Sequence, residues 1–241
     1  MTDTPALTTP KRVMALFAHP DDPEFFAGGT LLKWADAGAE MVYVLATSGD
    51  KGTDDPTMTA ERLMAQREAE QRAAATHTGC TEVVFLRHPD GELEHTLAFR
   101  RDLTRVIRQF TPDVVVTNDP AAFYFRNGSI NHSDHMAVGA TALAAVYPAA
   151  RDRHYFVELW RDEGLEPHKV RHVYLAGTQN PGTKVIITDV FERKLAAILE
   201  HRSQVREPEA LIKRMRGNFD PDFGEHPPVY TEQFRVLTLR M

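Results

Sequence analysis

Short apolar runs alternate with helical stretches through the first half of the chain, and this alternation constrains the fold most. Val13–Ala18, Met41–Ala46, Glu82–Leu86 and Val114–Thr117 have the length and apolar character of buried strands. Between them lie helical patterns. One covers Gly28–Ala37, stopped by Gly38. A longer one is capped by Thr59 and runs to about His77, with Leu63, Gln66, Ala69, Ala73 and Ala74 as the face expected to lie on a sheet. A third spans Leu97–Phe110, where Leu103, Val106, Ile107 and Phe110 recur at helical spacing. Strand–helix repetition of this kind predicts an α/β, Rossmann-like fold: a mostly parallel sheet, helices on both faces, right-handed crossovers.

The second half predicts a smaller α+β extension of the same domain. Residues 118–131 form a long loop, and His135–Tyr147 reads as helix. Strands are expected at Val170–Ala176 and Lys184–Ile187, and helices at Phe191–His201, capped by Asp189, and at Glu209–Arg216. Glu232–Leu239 fits a last strand or a short helix, and 149–166 follows no clear period. The expectation is one domain over 1–241, with a core at about 12–148, an extension at about 149–241, and a loose lead-in at 1–10.

Charge and apolar patterning exclude several function classes. A formal charge of −6 and a pI near 6.0 leave no basic footprint for nucleic acid. No apolar run approaches the ~18 residues of a membrane span. Met1–Pro5 lacks the basic and apolar regions of a signal peptide, and one cysteine forms no internal disulfide. A cytoplasmic protein is expected, with Cys80 a packed, inert thiol.

The chemistry concentrates where the first strand ends, in Ala18-His19-Pro20-Asp21-Asp22-Pro23-Glu24. In an open α/β sheet, ligands bind at the carboxyl ends of the strands. His19 and Asp22, three apart across a turn, can face one ion; Asp21 diverges from Asp22 and can stand beside it as a base. A capped turn with solvated carboxylates is the alternative. His132 and His135, three apart at a predicted helix start, share one face, and Asp134 can orient a histidine from behind. Two histidines and a carboxylate with an open position suit catalytic Zn²⁺, and also Fe²⁺ or another divalent transition metal. Gly28-Gly29-Thr30 invites a phosphate-loop reading but lacks its lysine, so close backbone packing is expected there. No nucleophile elbow surrounds Ser48.

These motifs resemble the PIG-L/LmbE-like family of zinc-dependent N-deacetylases. The likeness extends to Thr47-Ser48-Gly49-Asp50, Gly52, Arg67-Glu68, Asp90-Gly91, Lys194, His201, Ser203, Gln204, Tyr230, Glu232 and Phe234, and so covers most of 12–237. It implies His19, Asp22 and His135 as metal ligands, Asp21 as general base and His132 as general acid. Arg67 and Asp90 would meet the substrate, a small N-acetylated sugar derivative, and the chain could form a homo-oligomer. The expected reaction is removal of an acetyl group from an N-acetyl amino sugar or related glycoside by attack of a zinc-bound water. An amidase acting on a larger conjugate, or a non-enzymatic nucleotide- or sugar-binding module, are the alternatives. Three positions depart from the family pattern. Pro23 stands where many members have Glu, and Phe26 where many have Gly. Ile130 replaces a carbonyl-polarising Tyr, leaving Asn131, His132 or Tyr124 to stand in.

Overall fold

Valine- and leucine-rich runs need cover on both faces, and the chain provides it by winding helices around a central sheet. The structure, a computed structural model, describes residues 9–80, 82–125, 128–224 and 226–240. Most of the expected lead-in, 1–8, lies outside them. The strands are β1 (Arg12–Phe17), β2 (Glu40–Thr47), β3 (Glu82–His88), β4 (Val114–Asn118), β5 (His172–Ala176), β6 (Thr183–Ile186) and β7 (Thr231–Thr238). The α-helices are α1 (Asp22–Asp36), α2 (Ala60–His77), α3 (Leu97–Phe110), α4 (Ser133–Ala144), α5 (Val157–Arg161), α6 (Phe191–Leu199) and α7 (Pro208–Gly217).

The sheet order is β3-β2-β1-β4-β5-β7-β6. The first five strands run parallel, and β7 pairs antiparallel with β5 and β6. The last three strands thus extend the first sheet rather than building another. Alternation along β1 divides the core. Val13, Ala15 and Phe17 pack with Leu31, Trp34, Phe191 and Leu195 on one face. Met14, Leu16 and Ala18 pack with Leu103, Ile107, Val138 and Ala142 on the other. Strand order reverses about β1, between β2 and β4, which opens a crevice at their carboxyl ends.

Three local expectations give way. Helix α1 starts at Asp22, not Gly28: Pro23 presets a helical φ in the first turn, and Asp22 and Glu24 suit the positive helix end. Gly28-Gly29-Thr30 is therefore mid-helix and cradles no phosphate. A Cβ on Gly29 would sit 2.6 Å from Ile187 Cγ2, so the glycine is there for close packing. The buried face of α2 carries Leu63, Arg67, Glu68, Gln71, Ala74 and Ala75, while Gln66 and Ala69 are exposed. Asp189 does not cap α6. It lies in a 3₁₀ turn and pairs with Lys33 at 2.8 Å.

Helix α4 ends at Ala144 and passes into a π-helical segment, Ala145–Ala150. Its approach to β4 depends on Gly139, where a Cβ would lie 2.3 Å from the Asn118 carbonyl oxygen. That approach brings the start of α4 to the end of β1.

Candidate metal centre

The turn after β1 presents three side chains in three directions. Asp22 is the first residue of α1. Its Oδ2 accepts the His19 backbone N–H at 2.9 Å and lies 3.5 Å from His19 Nδ1. Its Oδ1 lies 3.1 Å from His135 Nε2. Two donors ~2.1 Å from a tetrahedral ion are ~3.4 Å apart, so these separations suit a shared metal.

The far nitrogen of each histidine has its own acceptor. His135 Nδ1 lies 2.9 Å from Asn131 Oδ1, whose amide is oriented by Nδ2 donating to Ala122 O at 2.7 Å. His19 Nε2 lies 3.1 Å from Asp90 Oδ1 and 3.2 Å from Asp134 Oδ2. With those nitrogens protonated, lone pairs on His135 Nε2 and His19 Nδ1 face the Asp22 carboxylate. A divalent cation between these lone pairs and the carboxylate would replace the protons the imidazoles otherwise share with Asp22, so the donor set fits a metal. His19, His132 and Asp134 form a second close group. Asp134 is already engaged by the Gly91 N–H at 2.7 Å and the Leu93 N–H at 3.2 Å.

Asp21 sits beside this set in a left-handed conformation, φ 101° and ψ −32°. For a non-glycine residue that costs on the order of 1–3 kcal/mol and persists only when neighbours enforce it. Arg67 Nη2 donates to Pro20 O at 2.7 Å and to Asp21 Oδ2 at 3.2 Å, and Nη1 to Gly49 O at 3.2 Å. The Asp21 N–H donates to Gln71 Oε1 at 2.9 Å. His132 is exposed and caps α4: its Nδ1 accepts the Asp134 N–H at 3.2 Å, which places the ring proton on Nε2. Its ring stands edge-on to His19, centroids 4.6 Å apart.

The electrostatics follow burial and pairing. Burial, which outweighs the Arg67 guanidinium, raises the Asp21 carboxyl to about 6. Burial acts to raise Asp22 as well, but the facing His135 and His19 hold it well below the usual carboxylate range. Asp90 falls to about 2, its burial outweighed by His19. Burial opposes protonation of His19, yet Asp134, Asp22 and Asp90 raise it well above the ordinary imidazole value. Burial and His19 lower His132. Three carboxylates around His19 thus make a field that favours positive charge at the centre of the site.

The PIG-L family model, GlcNAc-PI de-N-acetylase, matches residues 14–146. The chain belongs to the PIG-L family. Diacetylchitobiose deacetylase of Thermococcus kodakarensis is 34% identical over 197 residues, 82% of this chain and 71% of the relative. A 1D-myo-inositol 2-acetamido-2-deoxy-alpha-D-glucopyranoside deacetylase of Rhodococcus erythropolis is 30% identical over 224 residues, 83% of this chain and 69% of the relative. The solved N,N'-diacetylchitobiose deacetylase from Pyrococcus horikoshii superposes with a TM-score of 0.85 at 32% identity, covering 95% of this chain and 84% of that one. This PIG-L chain is accordingly a hydrolase of the N-deacetylase class, in a metal-dependent family. Among its described residues, no helix is long and apolar enough to cross a membrane.

The remaining sequence candidates fall in two groups. Arg67 is buried with Nη2 on the turn after β1 and Nη1 on the Gly49 carbonyl after β2, and Asp90 is turned to His19 and the Lys51 N–H. Both are therefore placed to hold the site. Ser48 is buried and donates to Glu68 at 2.8 Å. Asn131 holds His135, while Tyr124 and Ile130 are exposed and bridge each other across the loop. Phe26, one of the departures from the family pattern, stands edge-on to His135 with ring centroids 5.4 Å apart. Gln71 carries no sequence signal of its own, because its partners lie 50 and 47 residues away.

Proposed function

We propose that this chain removes the acetyl group from an N-acetyl amino sugar, a diacetylchitobiose-like glycoside being the substrate class that the Thermococcus and Pyrococcus relatives support. His19, Asp22 and His135 would hold the metal, and zinc suits two imidazoles and a carboxylate. When bound, zinc polarises the amide carbonyl and acidifies water.

The chain's own groups manage the protons. Asp21 takes a proton from the attacking water, and its backbone conformation turns it aside from the position where Asp22 would hold the metal. Asp134 and Asn131 fix the two ligand imidazoles. His132 presents Nε2–H, because the Asp134 N–H holds its other nitrogen, and donates a hydrogen bond to the carbonyl oxygen as it gains charge, while the proton held by Asp21 passes to the leaving nitrogen. Water adds to the carbonyl carbon, the C–N bond breaks, and acetate and a free amine leave.

The carrying observation is that His19 Nδ1 and His135 Nε2 face the two oxygens of one carboxylate, Asp22. A cytoplasmic setting belongs to the same reading, supported by the single buried thiol of Cys80. Zinc-loaded protein should release acetate and free amine from N,N'-diacetylchitobiose, and a chelator should stop it. Turnover of N-acyl peptides or larger amides with none of the sugar would contradict the substrate class.

A further inference from the structure

Behind Asp21 lies a buried chain of contacts that touches neither the metal ligands nor the open cleft. Gln71 Oε1 accepts the Asp21 N–H at 2.9 Å, and Gln71 Nε2 donates to Glu24 Oε1 at 2.9 Å. Glu24 Oε2 lies 3.2 Å from His201 Nε2. Gln71 and Glu24 are 0% exposed and His201 1%, so these three side chains are shielded from water. The three side chains come from α2, from α1 and from just past α6, so three elements must pack correctly before the chain closes.

The amide of Gln71 has one workable orientation. A backbone N–H only donates and a carboxylate only accepts, so oxygen must face Asp21 and nitrogen Glu24. His201 holds the second Glu24 oxygen and fixes the carboxylate. We propose that Gln71 is the positioning residue for the general base, locking Asp21 at φ 101°, and that Glu24 and His201 lock Gln71. Without an acceptor for its N–H, the turn relaxes towards negative φ and the Asp21 carboxylate swings. His19, Asp22 and His135 keep their contacts, because none of them bonds to Gln71. The inference rests on Asp21 being the base.

The test compares Gln71→Met, similar in length but without hydrogen bonds, with Asp21→Asn and with the double variant, each as the full zinc-loaded chain. Gln71→Met should keep wild-type zinc stoichiometry and KM, and lose roughly 10- to 100-fold in kcat, the scale for removing an orienting partner. The double variant should be no slower than Asp21→Asn, since the two residues act as a unit. Crystals of metal-free Gln71→Met should show Asp21 at negative φ, a readout independent of activity. If that variant does not fold, His201→Leu reads the same coupling one step back, and His201→Gln, which keeps a donor for Glu24, restores kcat. Losses that add, unchanged kcat in Gln71→Met, or Asp21 still near φ 101° would overturn the positioning role alone. Full activity in Asp21→Asn with bound zinc would instead remove the base, and the positioning role with it.

Discussion

Asp22 Oδ1 lies 3.1 Å from His135 Nε2, joining the first residue of α1 to the first turn of α4 across 113 positions of sequence. This contact depends on strand order. Because β4 lies directly against β1, the helix after β4 starts beside the helix after β1.

Asp21→Asn should keep the metal and fold normally, since the proposed ligands are His19, Asp22 and His135 and, among the described residues, the Asp21 carboxylate bonds to Arg67 alone. Its kcat should fall by ~10²–10⁴, the range for a general base. Steady-state kinetics with metal analysis on the same preparation checks both halves.

Lys194→Met should destabilise the fold by roughly 3–5 kcal/mol, because it strands a buried carboxylate. Lys194 Nζ lies 2.6 Å from Glu232 Oε1, and both residues are 5% exposed. Glu232 also accepts the Gly29 and Thr30 N–H groups from the middle of α1, each at 2.8 Å. Urea denaturation followed by circular dichroism measures the loss.

The native Cys80 thiol should resist Ellman's reagent at pH 8 and react as one thiol per chain in denaturant. Burial pushes it up to about 12, so almost no thiolate forms at that pH. Rapid labelling of the native protein would contradict its packing.

Glu68 gives a pH dependence of stability with a definite sign. Arg87, donating at 2.8 and 3.0 Å, and Ser48 lower its pKa against the opposing effect of burial. A lowered folded pKa contributes stability that is fully present above the unfolded value of ~4.3 and is lost as pH falls through the folded value. Arg87→Met should therefore lower stability at pH 7, modestly because the arginine is more than half exposed to screening solvent, and progressively less below pH 4. Melting curves at pH 7 and pH 3.5 compare the two.

Legibility in the sequence followed the range of each interaction. The strand–helix alternation, the ends of α3 and the spacings of His19 with Asp22 and His132 with His135 are local, so periodicity and turn chemistry displayed them. The start of α1 was hidden because paired glycines resemble a helix boundary, and only Ile187, brought over by later strands, explains Gly29 inside a helix. Arg67 and Asp90 were picked out by the family resemblance, as substrate contacts. Their direction was not, because it depends on the Gly49 carbonyl and on His19. Gln71 was invisible, since an amide on a polar helix has meaning only once Asp21 and Glu24 meet it.

The most direct measurement is anomalous diffraction at the zinc edge from crystals of the zinc-loaded protein, with acetate release assayed on the same preparation. A single peak within ~2.1 Å of His19 Nδ1, an Asp22 oxygen and His135 Nε2, in protein that deacetylates diacetylchitobiose, is the expected result. Deacetylation by protein whose zinc sits elsewhere, or that binds no metal, would contradict it.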